Sequence, residues 1–109
     1  MLSKQNRLER KDFVNLLASK RFVNTENFSL RLGAGEKVAK LAVSVSKKVS
    51  KLAVDRNTLR RRVYSAVRNS VKDLEPNSYL FVARPSAKKL KGERLEKEVL
   101  SLLNQFKKR

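Results

Sequence analysis

The chain lacks cysteine, histidine and tryptophan, and it has few prolines, glycines and aromatic residues. Among its 109 residues are 2 prolines, 3 glycines and 6% aromatic side chains. Without cysteine there is no disulfide framework and no thiolate metal site. Without histidine, the usual zinc centre and a histidine general base are excluded. The serines therefore have no histidine to activate them, and we expect no catalytic side chain and no metal-ligating residue.

Acidic residues are scarce beside basic ones: 10 Asp and Glu stand against 27 Lys and Arg, a formal net charge of +17. Because such a charge opposes compaction, it favours a polyanionic partner, either nucleic acid or an anionic membrane surface. No apolar run approaches the ~20 residues of a spanning helix. The N-terminal residues also lack the apolar stretch of a secretory signal. We expect a cytoplasmic nucleic-acid-binding protein with no membrane partner.

Length and composition indicate one domain. Hydrophobic residues make up 40% of the chain, enough to form a core and too many for a disordered protein. No internal repeat or composition break divides the sequence. We therefore predict a single domain over residues 1–109, with flexible basic ends at 1–10 and 107–109.

Apolar spacing predicts three helices. The first covers residues 11–19, with Phe13, Leu16 and Leu17 on its core side. The last covers residues 93–106. The middle helix ends near residue 72, and both Ser50 and Asp55 are candidate N-caps.

Strands are predicted from alternation at residues 27–32 and 38–46, and from a nearly continuous apolar run at 79–84 that favours a central position. Residues 20–26 form a connection, either as loop or with a short extended piece at 21–23. The glycine-containing turn at 33–36 predicts that the first two strands pair as an antiparallel hairpin.

The element order α-β-β-α-β-α predicts an α+β two-layer sandwich in which helices pack on a small sheet. If the strands flanking the middle helix are parallel neighbours, a crossover is required, and a right hand is its default. The second face of the predicted hairpin is small and polar, which suggests that it faces a ligand strand or solvent. Its residues are Ser29, Arg31, Ala42, Ser44 and Ser46.

The stretch from residue 44 to residue 68 concentrates the positive charge. On a helical wheel, Leu59, Val63 and Val67 share one arc with Ala66 and Ser70, and the basic residues lie beside it. Guanidinium groups near a helix N-terminus favour phosphate over a neutral ligand. The alternative is an ordinary solvated basic face. Aromatic stacking on bases is limited to Tyr64 and an exposed Phe13, so binding should depend on backbone contacts and on salt.

Several short motifs occur together in a recognisable order. They are Arg7-Leu8, Asp12-Phe13, Ser44-Val45-Ser46-Lys47-Lys48-Val49, Ala53-Val54, Arg56-Asn57, Arg60-Arg61 and Ala83-Arg84-Pro85. With these motifs the sequence resembles the protein subunit of bacterial ribonuclease P over nearly its whole length. The resemblance implies a mixed sheet like that of the second domain of ribosomal protein S5. It also implies a left-handed βαβ crossover, against the default hand.

The resemblance further implies that the protein assists a catalytic RNA in removing the 5′ leader of precursor tRNA. Mg²⁺ would be held mainly by the RNA, and no protein partner is implied. The basic turn and helix would contact the RNA through Lys47, Lys48, Lys51, Arg56, Asn57, Arg60, Arg61, Arg62 and Arg68. A cleft between the first helix and the open sheet face would hold the leader with Phe13, Leu17, Arg31, Ser44 and Ser46.

The sequence departs from the family pattern at four positions. Thr58 replaces the second arginine of the R-N-R motif, and Arg62, one turn along, is a candidate substitute. Ser50 stands where the turn usually has glycine. Leu17 and Arg31 replace aromatic residues of the cleft. We therefore expect leader binding to depend less on stacking and more on charge.

Two other functions compete with this one. A ribosomal or structured-RNA chaperone protein can use the same sandwich, and it should co-sediment with a ribosomal subunit. A DNA-binding protein can place Arg61 and Arg68 in a major groove, but no dimerising element is visible in the sequence.

Overall fold

A four-stranded mixed sheet forms the middle of the fold. The computed structural model describes residues 4–34 and 36–108. Its strands are β1 (Phe22–Asn24), β2 (Phe28–Gly33), β3 (Lys40–Ser44) and β4 (Ser78–Ala83). They lie in the order β1-β2-β4-β3. β2 pairs antiparallel with β1 and β4, whereas β3 and β4 are parallel.

Three helices flank this sheet: α1 (Arg10–Leu17), α2 (Ala53–Val67) and α3 (Gly92–Asn104). Short 3-10 turns cover Lys4–Asn6, Val71–Asp73 and Pro85–Lys89. α2 connects the parallel neighbours β3 and β4, which is the crossover to which the resemblance assigns a left hand. None of the helices in the described ranges is long and apolar enough to span a membrane.

The predicted hairpin is wrong in its pairing. β2 and β3 are consecutive along the chain, but β4 lies between them and pairs with both. The central position predicted for β4 is therefore confirmed, and five of its six residues are buried. A strand with apolar side chains on both faces is most stable in the interior of a sheet, where neighbouring strands and helices shield both faces from water.

One face of the sheet carries the main core. Alternate strand residues such as Phe28, Leu41 and Phe81 meet the buried stripe of α2 and that of α3. The α2 stripe is Leu59, Val63 and Val67, and the α3 stripe is Leu95, Val99, Leu102 and Leu103. These stripes confirm the predicted helical spacing. Ala66 and Ser70 are only half-buried.

The other face is partly covered by α1. Leu16 is buried against Ala42 and Leu80, with Phe13 and Val82 half-buried around them. A Cβ atom on Gly33 would lie 2.8 Å from Leu16 Cδ2. The absence of a side chain at Gly33 therefore allows α1 to pack closely against β2. Gly33 does not have the positive φ that its place in a predicted turn suggested.

Both ends that the sequence predicts as flexible make hydrogen bonds to the fold where they are described. Leu8 N donates to Leu41 O (3.0 Å), and Asn6 Nδ2 donates to Ala39 O (2.8 Å). At the other end, Lys108 N donates to Asp73 O (2.7 Å). The N-terminal segment therefore lies along the outer edge of β3. Residues 1–3, 35 and 109 fall outside the described part of the chain.

The middle helix differs from its prediction at both ends. It begins after Leu52, and neither Ser50 nor Asp55 caps it with a side-chain hydrogen bond. The two side chains instead bond to each other, since Ser50 Oγ donates to Asp55 Oδ2 (3.0 Å). α2 ends at Val67, and the predicted continuation to residue 72 is broken by the 3-10 turn Val71–Asp73.

Candidate RNA interface

The basic turn between β3 and α2 holds its lysines outward. Val49 and Ser50 are buried, and Lys47, Lys48 and Lys51 are exposed. Ser46 Oγ accepts a hydrogen bond from Lys48 N (3.2 Å), and Ser50 Oγ accepts one from Leu52 N (3.3 Å). These serine contacts fix the backbone, so the three ammonium groups project from a defined surface.

Arg56 stabilises this turn as well as contributing charge. Its Nη1 donates to the main-chain oxygens of Ser50 (3.0 Å) and Lys51 (2.9 Å). Such contacts hold the turn against the first turn of α2. Only the remaining guanidinium donors of Arg56 are left for a phosphate. The sequence pattern did not indicate that Arg56 also binds the main chain of the turn.

Four of the predicted RNA-binding residues surround one open cavity on α2. They are Asn57, Arg60, Arg61 and Arg68, and with Tyr64 and Ser65 they line about 480 Å³. Arg60 donates to Asn57 Oδ1, and Arg61 Nη2 donates to Thr58 Oγ1 (3.4 Å). These contacts orient two guanidinium groups along the exposed side of the helix, where a phosphate chain can meet both.

Tyr64 is less available for stacking than its sequence position suggests. The ring is half-buried against the core, and the hydroxyl accepts a hydrogen bond from Val43 N (3.3 Å) on the outer edge of β3. Burial raises the pKa of Tyr64 above 10.0; the contact with Val43 and the nearby charges of Arg60 and Arg7 act in the opposite direction. The tyrosine therefore stays neutral at physiological pH and forms the apolar wall of the cavity.

Arg62 does not line this cavity. It lines cavities on the side of α2 that faces α3 and the preceding loop. Thr58, one turn earlier, lines the same two cavities. The predicted RNA-binding residues of the helix are thus divided between two sides.

The predicted cleft lies on the sheet face that α1 covers. Strand register places Phe22, Arg31, Leu80 and Ala42 in one row across this face. Asn24, Ser29, Val82 and Ser44 form the next row. Ser46 is exposed beyond the end of β3. The structure therefore places Arg31 and Ser44 on the same face with β4 between them, and Phe22, Asn24 and Ser29 share that face.

Two residues of the predicted cleft, Phe13 and Leu17, belong to α1. Phe13 is half-buried against the Leu16, Ala42 and Leu80 cluster, so it is partly core and partly cleft. Leu17 is 46% exposed. The core-side prediction is therefore confirmed for Leu16, which is buried, and wrong for Leu17, which lies at the surface.

Arg31 pairs with an aromatic ring that the sequence analysis did not select. Its Cζ atom lies 4.7 Å from the centroid of the Phe22 ring, a cation–π contact. Nη1 of the same guanidinium donates to Ser19 O (3.3 Å) at the end of α1. Phe22 is 48% exposed. The short extended piece predicted at 21–23 could have indicated Phe22, because a strand there pairs with β2 and places Phe22 beside Arg31.

Two buried polar atoms under the cleft have no hydrogen-bond partner among the described residues. They are Ser29 Oγ and Arg31 Nε, both on β2. Ser29 is only 5% exposed. A buried donor without a partner costs ~1–3 kcal/mol.

Acidic residues neutralise few of the basic ones. Within residues 4–34 and 36–108, the ion pairs are Lys11 with Glu9 (3.2 Å) and Lys40 with Glu36 (3.8 Å). The cations of the basic turn and of α2 take part in neither. Their charge is therefore available to a polyanion.

Comparison with known proteins gives one family. The sequence model of the family Ribonuclease P matches residues 2–107. A ribonuclease P protein component from Picosynechococcus sp. is 32% identical over 107 residues, covering 95% of this chain and 92% of the relative. One from Xanthomonas axonopodis pv. citri is 33% identical over 76 residues, 70% of this chain. That match covers about half of the Xanthomonas protein, 52% of its length.

Solved structures share the fold. A mutant of the Staphylococcus aureus RNase P protein superposes with a TM-score of 0.82 at 21% identity, covering 94% of this chain and 88% of that one. The RNase P protein from Thermotoga maritima gives 0.80 at 20% identity, covering 94% and 98%. The resemblance and the α+β fold are confirmed. The chain belongs to the ribonuclease P protein family, whose members are the protein components of ribonuclease P and associate with its RNA.

Proposed function

We propose that this protein binds the catalytic RNA of ribonuclease P and the 5′ leader of precursor tRNA, and thereby assists endonucleolytic removal of the leader. The observation that carries the proposal is the separation of two surfaces. The basic turn and α2 belong to one side of the sheet, and the cleft under α1 lies on the other. One protein can then hold the RNA enzyme and its substrate at the same time.

Phosphate contacts dominate the first surface in this proposal. Lys47, Lys48 and Lys51 lie on a fixed turn, and Arg60 and Arg68 line the adjoining cavity of α2. Contacts of this kind position the protein on the RNA without reading its sequence. Their number is measurable, since each phosphate contact adds about 0.7–0.9 to the slope of log K against log salt concentration.

The cleft binds a single strand in this proposal. Phe13 and Leu17 supply apolar walls, and Phe22 with Arg31 supplies a ring and a guanidinium plane at the far end of the row. Aromatic and guanidinium planes stack on any base, so leader binding should tolerate sequence changes. Ser44 and Ser46 line the side near β3, where hydroxyls can bond to the strand.

We propose that the Mg²⁺ needed for hydrolysis is held mainly by the RNA. Within the described ranges, no three His, Cys, Asp or Glu side chains lie together as a metal-binding group. The protein's own part is to neutralise phosphates and to position the leader. A cytoplasmic location goes with this function, since the RNA partner and its tRNA substrate are made there.

Precursor-tRNA cleavage by a bacterial ribonuclease P RNA at limiting Mg²⁺ tests the proposal. Addition of the protein should restore cleavage at the mature 5′ end, and a leaderless tRNA should not compete as well as the precursor. Tight, salt-dependent RNA binding without restored cleavage by a cognate RNA would contradict the proposed role. Stoichiometric co-sedimentation with a ribosomal subunit would favour the ribosomal alternative.

A matched pair of variants separates a local effect of the α2 cavity from an effect of net charge. Arg68→Gln removes a charge from the α2 cavity, and Lys97→Gln removes one from α3 on a different side of the molecule. We expect Arg68→Gln to weaken binding to the catalytic RNA several-fold and to flatten the salt dependence. Equal losses in the two variants would mean that only net charge matters.

A further inference from the structure

Two basic loops meet at one edge of the sheet. β3 and β4 are parallel neighbours, so their carboxyl ends lie side by side. The chain leaves β3 through the turn containing Val49 and Ser50. It leaves β4 through the 3-10 turn Pro85–Lys89 and continues to Lys91. A cavity of about 250 Å³ separates the two connections, with α2 along one side.

The cavity is lined by more positive than negative charge. Arg62 approaches from α2, and Lys88 and Lys91 approach from the loop before α3. Asp55 is the carboxylate that lines it, and this group already accepts a hydrogen bond from Ser50 Oγ (3.0 Å). In the described part of the chain, none of the three cations forms an ion pair. Three cations against one carboxylate favour an anionic ligand.

Thr58 links this cavity to the departure from the family motif. The threonine stands where the motif has arginine, and it lines the same cavity as Arg62 one turn later. Thr58 Oγ1 donates to Val54 O (2.8 Å), so its hydroxyl is held by the helix and it contributes no charge. The positive charge of this cavity comes from Arg62 and from the two lysines of the loop before α3.

The backbone next to the cavity is shaped to present Lys91. Gly92 has φ 57°, in the left-handed region, and a Cβ placed there would meet nothing within 4 Å. Glycine at this position therefore allows the backbone to turn sharply from the loop into α3, and it is not required by a close contact. Glu93 and Glu96 of α3 line the next cavity together with Arg61 and Arg62 of α2. Their negative charge favours phosphate binding at the other end, beside Lys88 and Lys91.

We propose that Arg62, Lys88 and Lys91 form a second phosphate-binding site that grips a backbone segment of the catalytic RNA. The inference rests on the proposed function and adds residues from the β4–α3 loop to the interface. The cavity lies on the α2–α3 side of the sheet, so the leader in the cleft cannot reach it without leaving the α1 face. α2 then contacts RNA along two sides, with Arg60 and Arg68 on one and Arg62 on the other.

Charge-matched double variants test this site. Lys88→Gln with Lys91→Gln empties the loop side of the cavity. Arg94→Gln with Lys97→Gln removes the same charge from α3, around a different cavity. Affinity for the catalytic RNA is measured over a series of KCl concentrations, with thermal unfolding to check the fold. The first double variant should bind at least 5-fold more weakly and reduce the salt slope by about 1.5, since two phosphate contacts are lost, and the second should change neither as much. Equal effects of the two would overturn the site.

A rescue experiment separates a local site from general charge. Arg62→Gln should weaken binding, and adding Thr58→Arg should restore it, because that side chain enters the same cavity. Adding Ser101→Arg instead places the same charge on the other cavity and should not restore binding. Rescue by both arginines, or by neither, would contradict the proposal. If the wild-type protein neither binds the RNA nor restores cleavage, the proposed function fails; if it does both and the variants match it, only this site fails.

Discussion

Replacing Glu98 with alanine removes the side chain that ties α3 to the β1–β2 connection. The Glu98 carboxylate accepts three hydrogen bonds there: from Thr25 Oγ1 (2.6 Å), from Asn27 N (3.0 Å) and from Asn27 Nδ2 (2.7 Å). Asn27 is buried, whereas Glu98 is half-buried. The substitution should therefore leave mainly the two donors of Asn27 without a partner, because the Thr25 hydroxyl keeps a second hydrogen bond to Phe28 O (3.3 Å).

The expected cost follows from these contacts. Hydrogen bonds to charged groups contribute ~1.5–3 kcal/mol each, and partial exposure places these at the low end. Two buried donors left without partners then lower the free energy of unfolding by about 3 kcal/mol in Glu98→Ala. For a domain of this size, this corresponds to a fall in Tm of about 12 °C or more. Glu98→Gln keeps one acceptor oxygen and should cost about 1 kcal/mol.

Urea denaturation followed by circular dichroism measures these differences. Glu96→Ala is the matched control, because this exposed glutamate lies on the same helix and takes part in neither of the ion pairs found in the described ranges. It should stay within about 0.5 kcal/mol of the wild type. A double-mutant cycle between Glu98→Ala and Asn27→Ala should give a coupling of about 1.5 kcal/mol.

A Glu98→Ala variant as stable as Glu96→Ala would refute the reasoning, because the three short contacts would then contribute nothing net. A coupling energy near zero would contradict it independently, by showing that Asn27 finds other partners.

Four further outcomes are expected. Phe22→Ala should raise KM for leader-bearing substrate about 3–10-fold, because a stacking plane is lost, and should leave affinity for the catalytic RNA unchanged. Phe13→Ala should raise the same KM and also lower the free energy of unfolding by about 2 kcal/mol, since the ring is half-buried. Ser29→Ala should keep or increase stability by up to about 1 kcal/mol, because the buried hydroxyl has no partner among the described residues. Absorbance titration should give pKa values above 10.0 for Tyr64 and Tyr79, which burial raises.

Each of these has a contradicting result. A Phe22→Ala variant with weakened RNA affinity would place the ring outside the leader cleft. If Phe13→Ala is destabilised and KM is unchanged, Phe13 is core alone. A Ser29→Ala variant destabilised by more than 1 kcal/mol would show that its hydroxyl is bonded. Burial disfavours ionisation of the two tyrosines in the folded state. The free energy of unfolding should therefore hold below pH 10 and fall as pH rises through the raised pKa values. A fall that begins well below pH 10 would mean that a different group controls the pH dependence.

Local sequence patterns predicted the elements well. The helical spacing of Leu95, Val99 and Leu102 placed α3 within two residues at each end, and the apolar run at 79–84 placed β4 in the centre. Both features depend on short-range periodicity, which the chain displays directly.

Pairing between distant segments was not predictable in the same way. The glycines near residue 34 favoured a hairpin, but Gly33 is required by the close approach of Leu16, a contact between residues 17 positions apart. Similarly, β4 enters between β2 and β3 from more than 30 residues further along the chain. Nothing in either local pattern encodes the third strand that separates them.

The candidate site shows the same division. The motif residues of the turn and of α2 were identified from sequence, and the structure assigned them to different surfaces. Phe22 was missed because it lies at the edge of a three-residue strand, and its importance appears only through its register with Arg31. Lys88 and Lys91 were not selected from the sequence, because the parallel pairing of β3 with β4 is what brings their loop close to Arg62.

The hydrogen bond between Val43 and Tyr64 has a consequence for self-association. β3 is an edge strand, and an edge with free amide and carbonyl groups can add a strand from a second molecule. Here Tyr64 occupies the amide of Val43, and Leu8 and Arg7 occupy the edge at Leu41. The same tyrosine that lines the α2 cavity therefore shields the β3 edge of the sheet from strand addition.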